Sequence, residues 1–114
     1  MSLSDVFNQF KTSLESIGYT VYTHPVDKIS ENICFLDIGG IDVDKEFTGG
    51  YEVTVDVRIL LFMKDRAEAL DKLESIVKAI DTSFAEFKGV AVQNHAENIL
   101  VELNYKYQGV IYVE

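Results

Sequence analysis

Carboxylates are the residues best placed to do chemistry in this chain. Asp37, Asp42, Asp44 and Glu46 form its densest acidic cluster, and hard cations such as calcium bind several oxygen ligands. The spacing points elsewhere. An Asp-x-Asp-x-Asp-Gly calcium loop is absent, and in an extended chain Asp42, Asp44 and Glu46 line one face. The expected role is a solvated strand edge whose charges discourage stray strand addition. His24 precedes Pro25 and His95 lies in a polar turn. Neither has a histidine or cysteine three or four residues away, the spacing of zinc ligands on one element. No serine occupies a nucleophile elbow. Gly39-Gly40 and Gly49-Gly50 lack the lysine and strand-loop-helix setting of a phosphate cradle, so both pairs read as turns. Cys34, inside the run Ile33-Cys34-Phe35-Leu36, reads as a small buried hydrophobe. No catalytic set, metal site or cofactor is expected, and the chain is not expected to be an enzyme.

Composition narrows the classes further. With 114 residues, one domain over 1–114 is expected. Hydrophobic residues at 47% and charged residues at 25% are ordinary for a globular chain and argue against disorder. The longest apolar run, Ile59 to Met63, is far short of the ~20 residues of a membrane helix. No basic segment leads into an apolar stretch, so no signal peptide is expected. Ten basic and nineteen acidic residues give a net charge of −9. Phosphate is repelled by that charge, so neither nucleic acid nor an anionic membrane is an expected partner. A single cysteine excludes an intramolecular disulfide and fits a reducing compartment.

These residues must be held by elements that the hydrophobic pattern discloses. Ser4 suits an N-cap and Asp5 the positive end of a helix dipole. Val6, Phe7, Phe10, Leu14 and Ile17 fall within roughly a 100° arc, predicting an amphipathic helix over 5–17, and Gly18 suits its C-terminal cap. Tyr19 to Thr23 is β-branched and aromatic, which predicts a strand that Pro25 ends. Ile33 to Ile38 reads as a second strand, broken by Gly39-Gly40. The alternating stretch Ile41 to Thr48 reads either as a short strand or as an exposed hairpin arm.

The strongest strand signal runs from Tyr51 to Met63. Every odd position is apolar, and Glu52, Thr54, Asp56 and Arg58 make the even face polar until Leu60 and Phe62. One end of this strand therefore has two dry faces. Asp65 suits the cap of a second helix over 66–80, with Glu68 in a capping-box position. Val90 and Val92, and then Ile99 to Tyr107, alternate as strands. Gly109 interrupts the last one before Val110 to Val113. The pattern predicts an α+β fold: a mainly antiparallel sheet with two amphipathic helices packed on one face, in the order α-β-β-(β)-β-α-β-β.

The aromatics point to contacts between proteins. Tyr105, Tyr107 and Tyr112 crowd the last strand, and Phe47 and Tyr51 flank the second glycine pair. A base-stacking platform would need interleaved basic residues, and only Lys106 is present. Core packing and interface packing remain. Leu60 and Phe62 point away from the odd face, and beside Val110 and Tyr112 they would form an apolar patch. They are expected to contribute to an interface with Phe47, Tyr51 and Tyr112, unless the C-terminal segment folds over them.

The helix Asp5–Ile17 ending in Gly18-Tyr19, the long strand from Tyr51 to Phe62, the Asp65-started helix and the closing strand Val101–Tyr107 follow in a familiar order. The layout resembles the small tail terminator or tail-completion proteins of long-tailed phages, including minor capsid and tail-joining proteins. That resemblance implies a virion protein assembled in the host cytoplasm. It implies a self-associated ring, commonly a hexamer, that caps the tail tube protein and meets the head-connector protein. The alternative reading is a homo-oligomeric α+β binding module of unrelated function. Net charge alone gives one test. The protein should produce no duplex-DNA shift in a gel assay at about physiological salt, because its charge opposes the counterion-release term. A tight, salt-sensitive shift would overturn that expectation.

Overall fold

The computed structural model describes residues 3–23, 33–45, 50–80, 85–95 and 98–112. It contains helix α1 (Leu3–Glu15), strands β1 (Thr20–Tyr22), β2 (Ile33–Lys45) and β3 (Gly50–Met63), helix α2 (Arg66–Ala79), and strands β4 (Glu86–His95) and β5 (Asn98–Tyr112). The fold is α+β. One five-stranded sheet has the order β1-β2-β3-β5-β4. Among the described strands only the β1–β2 pair is parallel, and the other pairs are antiparallel. Both helices lie on one face of this sheet.

The alternation in β3 explains the layering. Val53, Val55, Val57, Ile59, Leu61 and Met63 are all buried, because successive side chains on a strand point to opposite faces. Leu36, Ile59, Leu103 and Val90 share one register row across four strands. The apolar stripe Val6, Phe10 and Leu14 of α1 and the residues Ala69 and Ile76 of α2, with Ile80 just beyond, close over that surface. Phe10 meets Tyr105 edge-on, with ring centroids 5.4 Å apart, and Phe87 flanks the same tyrosine at 5.2 Å.

Local chemistry sets the helix ends. After α1 the Tyr19 amide donates to Leu14 O at 3.2 Å and the Gly18 amide to Glu15 O at 3.1 Å. This paired pattern needs a left-handed residue, and Gly18 supplies it with φ +96°. Leu14 and Tyr19, brought together by that turn, are both buried. At the start of α2 the Asp65 carboxylate accepts from the Glu68 amide at 2.8 Å. Glu68 turns its own carboxylate to Lys72 at 2.9 Å.

Several sequence expectations need correction. Gly39-Gly40 does not end a strand. It makes a register shift between Ile38 and Gly40, and β2 runs on to Lys45. Of the two readings of the stretch from Ile41, a short separate strand or an exposed hairpin arm, the second describes its part up to Lys45, which is the outer half of β2 in the long β2–β3 hairpin. Gly109 does not interrupt β5, which stays paired with β3 from Asn98's neighbour Ile99 to Tyr112. Gly109 is there for space, since a Cβ at this position would collide with the Tyr107 hydroxyl. The Tyr107 ring thus lies along the bare backbone of Gly109, whose register partner is the buried Val53. His24, Pro25, Glu46, Phe47 and Gly49 lie outside the described residues.

Length decides the outline. The 14 residues of β3 span roughly 46 Å, whereas a helix of 13 or 14 residues spans about 20 Å. The sheet outruns its helices. The molecule measures 51 × 25 × 24 Å, and its radius of gyration is 15.4 Å, against roughly 13 Å for a compact chain of this size. One prediction follows from the glycine seat. Gly109→Ala should destabilise the protein by about 1–3 kcal/mol, the usual cost of overpacking, and the double change with Tyr107→Ala should cost less than the sum of the two single changes. Strict additivity in denaturant melts would overturn this.

Candidate functional site

The two faces of the sheet differ in chemistry. On the face turned away from both helices, one register row crosses all five strands: Tyr22, Phe35, Leu60, Glu102 and Ala91. The adjacent row holds Phe62, Leu100 and Gln93. Phe35, Leu60, Phe62 and Leu100 are each half-buried. Among the described residues, no helix or strand packs on this face. A shallow depression of about 250 Å³ lies there, lined by Arg58, Leu60, Ala91, Gln93, Leu100 and Glu102.

Arg58 marks the border of this apolar area. Its guanidinium pairs with Asp37 on β2 and reaches Glu102 on β5 at 3.5 Å, tying three strands together. The Arg58 side chain lies across Gly39, where an added Cβ would sit 3.4 Å from Nε. Side-chain exposures of 40% for Arg58 and 48% for Asp37 limit the pair to about 1 kcal/mol or less. Its effect is on layout: it fixes where the polar part of the face begins.

The structure separates the five residues singled out as an interface. Leu60 and Phe62 do share the open face. Their neighbours, however, are Phe35, Glu102 and Leu100, because β5 runs antiparallel in a register that places Val110 opposite Glu52 and Tyr112 opposite Gly50. Val110 and Tyr112 therefore sit at the other end of β3. Tyr51 belongs to the helix-side face, at that same far end. Phe47 lies outside the described residues. Phe35 and Leu100 complete the patch and were not legible beforehand, since alternation assigns a face but not a cross-strand neighbour. A second hollow of about 180 Å³ lies between α2 and β4, among Arg66, Ala69, Leu70, Leu73, Val92 and Val101.

The remaining chemical candidates are placed as follows. Cys34 is fully buried. Burial, reinforced by the Glu15 carboxylate, pushes its thiol up to about 12, so it carries almost no thiolate at neutral pH. Asp42 and Asp44 line the outward-facing side of β2, exposed, and among the described residues no group of three or more His, Cys, Asp or Glu is placed to hold a metal ion. No helix is long and apolar enough to cross a membrane among the described residues. No protein-family model matches the chain, and no curated protein matches it.

Three buried groups give a pH prediction. Burial lifts Cys34 from its usual 9.0 to about 12, and lifts Tyr19 and Tyr105 from 10.0 to about 12. Each is neutral when protonated, so the unfolded chain loses these protons first as pH rises. Stability should be fully retained below pH 9 and fall between about pH 9 and 12. Thermal melts across that window test this, and an unchanged Tm up to pH 11.5 would contradict it.

Proposed function

We propose that this protein is a structural subunit that works by docking the open face of its sheet onto a neighbouring subunit, as a tail-completion protein of the phage type its sequence resembles. One observation carries the reading: the apolar patch of Phe35, Leu60, Phe62 and Leu100 lies on the face turned away from both helices. Apolar side chains grouped in this way outside the helix-packed core are the kind of surface that packs against another protein. Half-buried aromatic and aliphatic anchors with a charged border are the usual anatomy of an interface, an apolar centre inside a polar rim. Arg58, Asp37 and Glu102 supply that rim along one side.

In this reading the protein is not an enzyme and needs no cofactor. Its partners are copies of itself in a ring, the tail tube protein and a head-connector protein. It is assembled in the host cytoplasm and ends in the virion. The resemblance in element order supports the phage assignment, and the acidic charge suits a ring through which DNA slides without sticking. A homo-oligomeric module of another pathway would use the same face, and negative-stain electron microscopy of the pure protein separates the two by the presence or absence of closed rings.

The central variant is Phe62→Asp. A buried aromatic anchor contributes about 2 kcal/mol or more to an interface, so the association constant should fall roughly 30-fold or further. Circular dichroism should be unchanged, because the even face is not the helix-packed core. Size-exclusion chromatography beside circular dichroism reads both quantities. A variant that loses its fold rather than its oligomer would show that part of the same chain covers Phe62, and would defeat the proposal.

A further inference from the structure

The outer half of β2 has a second surface, distinct from the open face. Strand β1 pairs with β2 only at Ile33, Cys34 and Phe35. Beyond Phe35, the only described strand paired with β2 is β3, on its other side. From Leu36 to Lys45 the outer edge thus presents a ladder of backbone N–H and C=O groups with no strand partner among the described residues. Such an edge is a template for an added strand.

Side chains along the edge specify what would fit. Ile38, Ile41 and Val43 occupy the helix-side face of the arm at 42%, 48% and 57% exposure. The helices do not reach them. Asp37, Asp42 and Asp44 occupy the opposite face, and Asp42 and Asp44 are exposed. An edge built only to repel would not keep three large aliphatic side chains in water on one side. The acidic row also selects against the same edge of a second copy, which would set Asp42 and Asp44 close to their own counterparts.

We infer that the outer edge of β2, from Leu36 to Lys45, takes an extended segment of a basic partner protein by strand addition. The segment alternates apolar residues, laid beside Ile38, Ile41 and Val43, with lysines or arginines facing Asp42 and Asp44. Backbone hydrogen bonds supply the register, and the two rows of side chains supply the choice of partner.

The probe is a short fluorescein-labelled peptide of alternating lysine and valine, added to the full-length protein. Binding by anisotropy should weaken with salt. It should fall at least about tenfold in the Asp42→Lys, Asp44→Lys double variant, because cross-strand charge pairs change sign. A peptide of the same composition with its lysines and valines in two blocks should bind less well. Amide exchange should slow at residues 41–45 when the alternating peptide is bound. No binding, equal binding to the charge-reversed protein, or slowed exchange confined to the open face around Leu60 would overturn the inference. Concentration-dependent self-association that protects 41–45 without peptide would also overturn it, by making the edge a contact between copies. Circular dichroism of the double variant confirms that the comparison is between folded proteins, and both substituted positions are solvent-exposed.

Discussion

A strand of about 46 Å cannot be roofed by helices of about 20 Å, and most of this molecule follows from that mismatch. At the end near Met63 the sheet has a helix layer, a dense apolar core and five strands side by side. At the end near Gly50 it narrows to β2, β3 and β5, with Val53 and Val55 still buried but Ile41 and Val43 in water. Tyr107, laid flat over Gly109, does locally with one ring what a helix does at the other end. The protein is therefore a packed head with a ribbon projecting from it.

The two ends offer different kinds of contact. The open face near Phe62 is an apolar area with a charged border, suited to side-chain packing against a complementary surface. The ribbon offers a backbone edge, where affinity comes from hydrogen bonds that any sequence can make and selectivity comes from the flanking side chains. In the proposed reading, a protein with both can meet two partners without one contact excluding the other. That is a useful property in an ordered assembly, whichever pathway the assembly serves.

How much of this the sequence disclosed depends on the physical signal available. The alternation from Tyr51 to Met63 carried the core face, because period two is a property of the strand itself. Asp65 and Gly18 were legible as caps, because capping is local chemistry. The neighbours of Leu60 were not legible. A face can be read from one strand, but a register belongs to two, and the pairing of Leu60 with Phe35 and Glu102 leaves no mark on either segment alone. Glycines misled for a related reason. Gly39-Gly40 and Gly109 announce missing side chains, yet a missing side chain serves a turn, a bulge or a seat for a ring equally well.

The register shift at Gly39-Gly40 has a consequence for the whole ribbon. Before it, the helix-side positions of β2 are even-numbered, Cys34, Leu36 and Ile38; after it they are odd-numbered, Ile41 and Val43. That one extra residue inverts the parity of the strand. Were both glycines kept in regular alternation with no bulge, Asp42 and Asp44 would turn to the side of Leu36 and Ile41 and Val43 would lie beside Asp37. The glycine pair thus acts as a phase corrector. It keeps the aliphatics of the ribbon in line with Leu36 and Ile38 and its carboxylates in line with Asp37, and straightening the bulge without removing a residue would exchange the two surfaces of the ribbon while leaving the composition of the protein untouched.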